Sequence, residues 1–281
     1  MRFLLFFILC TTFLFASKNE VTVTILPQKY FVQKIVKDKF KINVMVPPGS
    51  SPHNFEPKPS QMKALFNSKL YFLIKEPSEE VWISKLKQNA KNTIFVDTTI
   101  GIKKIPMSEH KHHGHEEDEE TLDPHIWLDP NLVKIQAKNI YEAILKIDGK
   151  NSDFYKSNYL EFIKELDSLD SDIKTILKPY KNRAFMVFHP SWGYFALQYD
   201  LQQIAIEIEG KEPKPSELIE LINKAKELDI RALFVSKQFS QTTAKTISKD
   251  LKANIIIIDP LSEDFTNELL KIANELAKSY Q

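Results

Sequence analysis

A chain of 281 residues with 43% hydrophobic and 27% charged side chains is long enough for two ordinary domains and too apolar for wholesale disorder. Its 38 basic and 37 acidic side chains nearly cancel, so no global field draws it to nucleic acid or to an anionic membrane. Partners must be recognised by local sites.

The chain opens on Arg2 and then Phe3–Phe15, an apolar run broken by Thr11 and Thr12. That run is shorter than the roughly 20 residues of a membrane span. It has the form of a signal-peptide core, with Leu14 and Ala16 where a signal peptidase reads. Residues 1–16 are therefore expected to be cleaved on export to the periplasm. The single cysteine, Cys10, lies inside this segment, too early to serve as a lipid anchor. A mature chain without cysteine forms no disulfide and has no thiolate, so any metal site must be built from nitrogen and oxygen.

Short β-rich runs then alternate with amphipathic ones. Val21–Leu26, Lys41–Val46, Leu70–Ile74 and Thr93–Val96 have strand length and composition. Tyr30–Lys37, Ser60–Asn67 and Glu79–Asn89 read as helices, with Ser60 and Ser78 as candidate N-caps. This βαβα order predicts a parallel sheet with helices on its faces. Ser108–Glu120 (SEHKHHGHEEDEE) interrupts it, a low-complexity stretch of solvated-loop composition. Pro130 opens a helix to about Ile147, and a second helix runs from Ser152 to Leu177 with Phe154, Tyr155, Tyr159, Phe162, Ile163, Leu166, Leu169, Ile173 and Ile176 on one broad stripe. At 1.5 Å per residue the second is roughly 40 Å long, enough to run along two domains. The alternation resumes with strands at Ala184–Phe188, Leu201–Ile206, Arg231–Val235 and Asn254–Ile258. Helices are expected at Trp192–Tyr199, Ser216–Leu228, Gln241–Leu251 and Asp264–Lys278, with Ser216 and Asp264 as caps. The halves repeat the order of elements but show no sequence repeat.

The seven histidines fall into two groups. His110, His112, His113 and His115 sit in the acidic stretch, whereas His53, His125 and His189 each stand beside a proline at a break in the pattern. His53 and His189 follow predicted strands, as does Asp259 in IIIIDPLS. Ligands of open α/β sheets bind at the carboxyl ends of strands, so these positions are expected to converge. Three imidazoles and one carboxylate suit tetrahedral Zn2+. Taken singly, each residue has an ordinary structural reading: a hydrogen-bonded His after a strand, a turn-forming Asp before Pro, a His anchoring a helix start. Glu56 reads equally as a ligand or a loop charge.

In combination the motifs PHNFEP, DPHIWLDP, FHPSWGYF and IIIIDPLS, with GKEPKPSEL and FVSKQFS in support, give a whole-chain pattern. It resembles the cluster A-I substrate-binding proteins of bacterial ABC transporters, in their zinc-uptake branch. The resemblance implies two α/β lobes, each a parallel sheet with flanking helices, joined by one long rigid helix. The expected divisions are an N-terminal lobe over 17–150, a linking helix over 151–179 and a C-terminal lobe over 180–281. It also implies a metal held in the cleft by His53, His125, His189 and Asp259, with the histidines of the acidic loop as weak accessory ligands. The implied partners are a membrane permease and its cytoplasmic ATPase, and the protein is expected to be a non-enzymatic monomer. Three His with one Asp favour Zn2+, while Mn2+ or Fe2+ is the alternative cargo. A secreted zinc hydrolase is a more distant alternative, because neither H-E-x-x-H nor G-x-S-x-G occurs. Pro52 stands where some relatives carry a Glu before the first ligand.

Overall fold

The computed structural model describes residues 19–107, 122–207, 211–238 and 242–281. In the first half, β1 (Glu20–Val23), α1 (Leu26–Val36), β2 (Lys41–Val44), α2 (Pro59–Phe66), β3 (Leu70–Leu73), α3 (Pro77–Asn89) and β4 (Ile94–Asp97) alternate as expected. All four strands pair in parallel, in the order β2-β1-β3-β4. Every residue of β1 and β3 is buried, as a sheet covered on both faces requires. Then come α4 (Pro130–Ile147) and α5 (Ser152–Leu177). The second half contains β5 (Ala184–Val187), α6 (Gly193–Gln198), β6 (Gln202–Ala205), α7 (Pro215–Glu227), β7 (Ala232–Ser236), α8 (Thr242–Leu251), β8 (Asn254–Ile258) and α9 (Phe265–Ser279). Its strands are again parallel, in the order β6-β5-β7-β8. The fold is two α/β lobes connected through a long helix. The segments 1–16 and 108–120, read as a signal peptide and a His- and acid-rich loop, lie outside the described residues.

Helix starts differ from the serine caps read in the sequence. The helices α2, α3 and α7 begin at Pro59, Pro77 and Pro215, so Ser60, Ser78 and Ser216 fall inside them and Lys58, Glu76 and Lys214 occupy the cap position. Proline at the first helical position has its φ preset and lacks an N–H that would otherwise need a partner. In α3 the Glu76 carboxylate accepts from the Ser78 amide at 3.0 Å, which leaves its other oxygen for use elsewhere.

The two lobes share one apolar core through α5. Its buried stripe is Tyr155, Phe162, Leu166, Leu169, Ile173 and Leu177, while Phe154, expected on that stripe, is 37% exposed. This face packs on α1 and α4 of the first lobe and on α9 of the second. Phe31 of α1 and Phe265 of α9 meet edge to face at 5.0 Å, with Phe162 against Phe31 at 6.0 Å. Beside them Glu165 of α5 accepts from Tyr30, Lys34 and Thr266, so one carboxylate ties the spine to both lobes.

Glu79 of α3 is fully buried. It accepts from the Lys75 amide at 2.8 Å, the Tyr71 hydroxyl at 3.0 Å, the Ile74 amide at 3.2 Å and the Thr24 hydroxyl. Burial outweighs these donors and pushes its pKa from 4.5 up to about 7. A carboxyl raised in the folded state stabilises the fold fully below pH 4.5, and that contribution is lost as pH rises through about 7. The change amounts to about 3 kcal/mol at this size of shift. Urea denaturation of the metal-free protein should therefore show stability falling between about pH 5 and pH 8, and Glu79→Gln should flatten that fall. An unchanged slope in the variant would assign the pH dependence to another group.

Candidate metal centre

The carboxyl ends of the two sheets supply most of the site. A single 3-10 turn after β2, Pro52–Asn54, presents His53. His189 follows β5 by two residues, and His125 precedes the 3-10 turn Ile126–Leu128 that leads into α4. The coordinating nitrogens of the three lie within 4.8 Å of one another. Ring centroids are 4.7 Å apart for His53 and His189, 5.2 Å for His53 and His125, and 5.3 Å for His125 and His189. The Nε2 atoms of His53 and His125 are 3.4 Å apart. Two nitrogens each about 2.0–2.1 Å from one Zn2+ at a tetrahedral angle stand about 3.4 Å apart, so this spacing is that of two ligands of a shared ion.

Each imidazole is backed by a buried carboxylate. His53 Nδ1 meets Glu76 Oε1, His125 Nδ1 meets Asp123 Oδ1 at 2.7 Å, and His189 Nδ1 meets Glu207 Oε2 at 2.5 Å. A carboxylate accepting at Nδ1 places the proton there, which leaves the Nε2 lone pair for a metal and fixes the ring plane. Burial alone would raise Glu76, but the hydrogen bonds and charge of His53 together with Ser78 lower its pKa. Dry surroundings act on the third pair from both sides. They lower His189 well below 6.5, helped by His125 and His53, and push Glu207 up to about 7. Either charge is penalised there until a cation arrives.

The site is walled by Trp127, whose ring lies 5.2 Å from that of His125 and whose indole N–H donates to the Pro260 carbonyl at 2.7 Å. The three histidines line a cavity of about 10 Å³ together with Ser51, Pro52, Ser191, Gln238, Pro260 and Leu261. Asp259, the carboxylate grouped with the three histidines from sequence, is not part of the cluster of three. Its Oδ1 accepts from Gln238 Nε2 at 2.8 Å and from the Leu261 amide at 3.1 Å, and Lys237 Nζ is 3.5 Å from Oδ2. His110, His112, His113 and His115 lie outside the described residues. Glu56 lies on an open groove beside His53.

Sequence reading passed over Glu76 and Glu207, although both follow strands, the same signal that singled out His53 and His189. Asp123 carries its own signal, an Asp two residues before a His. Its Oδ1 accepts from both the amide and the ring of His125.

Gly193 explains how the second lobe approaches this pair. A Cβ added there would stand 2.7 Å from Asp123 Oδ2 and 3.6 Å from Ile105 Cδ1. Asp123 is 1% exposed and held by His125, so it has no room to retreat. Gly193→Ala is expected to cost about 1–3 kcal/mol in thermal or urea unfolding. It should also shift the His125 Nδ1–H resonance in 15N-edited spectra. Unaltered stability and an unmoved resonance would mean that the carboxylate has slack.

Comparison with known proteins places the chain in a family. The family model described as zinc-uptake complex component A, periplasmic, matches residues 21–280. The high-affinity zinc uptake system protein ZnuA of Bacillus subtilis (strain 168) is 29% identical over 253 residues, covering 87% of this chain and 79% of that protein. Zinc-binding protein AdcA of Streptococcus pyogenes serotype M3 (strain ATCC BAA-595 / MGAS315) is 26% identical over 276 residues. That match covers 92% of this chain, which spans only 53% of AdcA. A crystal structure of a ZnuA deletion mutant with zinc bound superposes with a TM-score of 0.86 at 38% identity, covering 93% of this chain and 98% of that one. With a match running through both lobes and all three histidines, the chain belongs to the family of periplasmic zinc-uptake complex component A proteins.

Proposed function

We propose that this chain captures one Zn2+ ion between its lobes outside the cytoplasm and hands it to the permease of an ABC-type uptake transporter powered by a cytoplasmic ATPase. The observation that carries this reading is the trio His53, His125 and His189, each with a carboxylate at Nδ1. Neutral imidazoles in a fixed tautomer are ligands suited to Zn2+. The reading includes export by removal of residues 1–16, action as a monomer, and lobes over 17–150 and 180–281 joined by a helix over 151–179. Asp259 contributes less than any histidine, and the loop histidines add only weak extra binding. Hydrolysis is not part of the reading, since Glu76, Asp123 and Glu207 are all occupied at imidazoles.

Titration of the demetallated protein against a chelator of known affinity is expected to give one tight Zn2+ equivalent. His125→Ala should weaken it by more than the roughly 10–100-fold that a lost carboxylate partner costs, and Asp259→Ala by far less. Protons compete for Nε2, and the lowered pKa of His189 keeps its lone pair available in mild acid. Release should therefore begin below about pH 6 and be steep, because several imidazoles must be protonated. Binding by His125→Ala equal to the parent, or full retention of metal at about pH 4, would overturn the ligand set.

A further inference from the structure

The end of α6 meets the spine outside the metal centre. Asp170 of α5 accepts at Oδ1 from Gln198 Nε2 at 2.8 Å and from the Tyr199 hydroxyl at 3.3 Å, both in the second lobe. The same oxygen accepts from Asn131 Nδ2 at 3.2 Å, in the first turn of α4. Its Oδ2 accepts from Lys174 at 2.7 Å. The carboxylate is 13% exposed, so these are charge-assisted bonds with little competition from water. Asn131 is held twice, since its backbone amide donates to the buried Asp129 at 2.7 Å.

This cluster complements Glu165, which ties α1 to α9. Asp170 ties α4 to α6. Five residues at about 100° each carry the second carboxylate about 140° around the helix from the first, so the lobes are pinned to α5 on two different sides. At the other end of α6, the Tyr194 hydroxyl donates to the Asp123 carbonyl at 2.8 Å and accepts from the Ile105 amide at 3.2 Å. The short helix α6 thus grips the segment from Asp123 to Asn131 at both ends, once directly and once through Asp170.

His125 and His189 are 2% and 8% exposed around a cavity of about 10 Å³, so an ion enters or leaves only when the lobes part slightly. Resting on the zinc-capture reading above, we infer that Asp170 is a latch that governs how often they part. Opening must break either its bonds to Gln198 and Tyr199 in one lobe or its bond to Asn131 in the other. A latch of this kind stabilises the closed arrangement whether or not the ion is present, so it slows entry and exit by the same factor. It therefore sets the rates of exchange and leaves affinity nearly unchanged, unlike a change in the ligands. Asp170 is a positioning residue, acting on the ion through the spacing of the lobes.

Stopped-flow exchange of Zn2+ against a chelator and pulsed EPR on the full chain test this. Asp170→Ala should raise both the association and the dissociation rate by roughly tenfold, the effect of losing a charge-assisted hydrogen bond. Its Kd should stay within about threefold of the parent, because the two rates rise together. Asp170→Asn keeps an oxygen for the three donors and should restore slow exchange. Tyr155→Phe is the stability control: it loses the bond of Tyr155 to Asp148 at 2.5 Å at the start of α5, and should lower the melting temperature with both rates unmoved. Spin labels at Lys63→Cys in α2 and Lys224→Cys in α7, both exposed, go into a Cys10→Ser background that removes the only native thiol. The metal-free parent should give a narrow distance distribution and Asp170→Ala a broader one. Should Asp170→Ala not fold, Gln198→Met removes only the second-lobe amide and should still raise both rates. Parent rates with an unbroadened distribution would overturn the inference, as would faster dissociation with unchanged association and a matching loss of affinity. If the parent binds no Zn2+, the zinc-capture reading fails, while the EPR comparison, which needs no metal, still decides whether Asp170 latches the lobes.

Discussion

Three imidazoles from two separate lobes can share one ion only if the lobes hold their spacing to a few tenths of an ångström. That constraint falls on α5. Six of its side chains, from Tyr155 to Leu177, are buried in a core that runs without a break from Val21 in β1 to Leu276 in α9. Fully burying such side chains contributes about 1.5–3 kcal/mol each before entropy is counted. Rotating one lobe on the other would expose part of this face or break backbone hydrogen bonds within the helix. Neither happens as readily as the φ/ψ change of a loop hinge. Tyr30, Phe31, Phe162 and Phe265, with Glu165 accepting from both lobes, place cross-lobe packing beside the spine.

Rigidity at the scale of lobes is repeated at the scale of rings. An imidazole on a surface loop samples several rotamers and two tautomers, and each carboxylate at Nδ1 removes most of that freedom. The electrostatic consequence is a balance that depends on the ion. Without a cation, burial makes charge on His189 or Glu207 costly. A doubly charged ion at Nε2 reverses the local sign and favours ionised carboxylates behind all three rings. Binding is thereby coupled to proton release at buried groups, which gives acidification a direct route to unloading.

Much of this was legible in the sequence, for physical reasons that can be named. Strand runs such as Leu70–Ile74 and Asn254–Ile258 are apolar throughout because both faces of a parallel sheet are covered. The proline-flanked His53 and His189 mark chain breaks at strand ends, and His125 marks the break before α4. Helix starts were less legible because a Ser near a helix start competes with a Pro, and the Pro at N1 decides. Glu76 and Glu207 were missed because KEPSEE and IEIEG look like ordinary charged turns. Only tertiary contact with His53 and His189 gives them a role. Asp259 sits at a strand end as the ligand pattern expects, with its oxygens held by Gln238, Leu261 and Lys237.

The two sheets have the same strand order, so the ends of β2 and β6, of β3 and β7, and of β1 and β5 correspond. Their chemistry does not. The end of β2 leads to His53 where β6 leads to Glu207, and β3 leads to Glu76 where β7 leads to Gln238. The end of β5 leads to His189, while that of β1 leads to Gln28, which is buried and accepts from the Thr24 amide at 2.9 Å. Of these six ends, two lead to the imidazoles His53 and His189 and two to the carboxylates behind them, Glu76 and Glu207, while Gln238 and Gln28 hold Asp259 and the Thr24 amide. A site with ligands at every equivalent position would crowd too many imidazoles around one ion and leave none of them anchored.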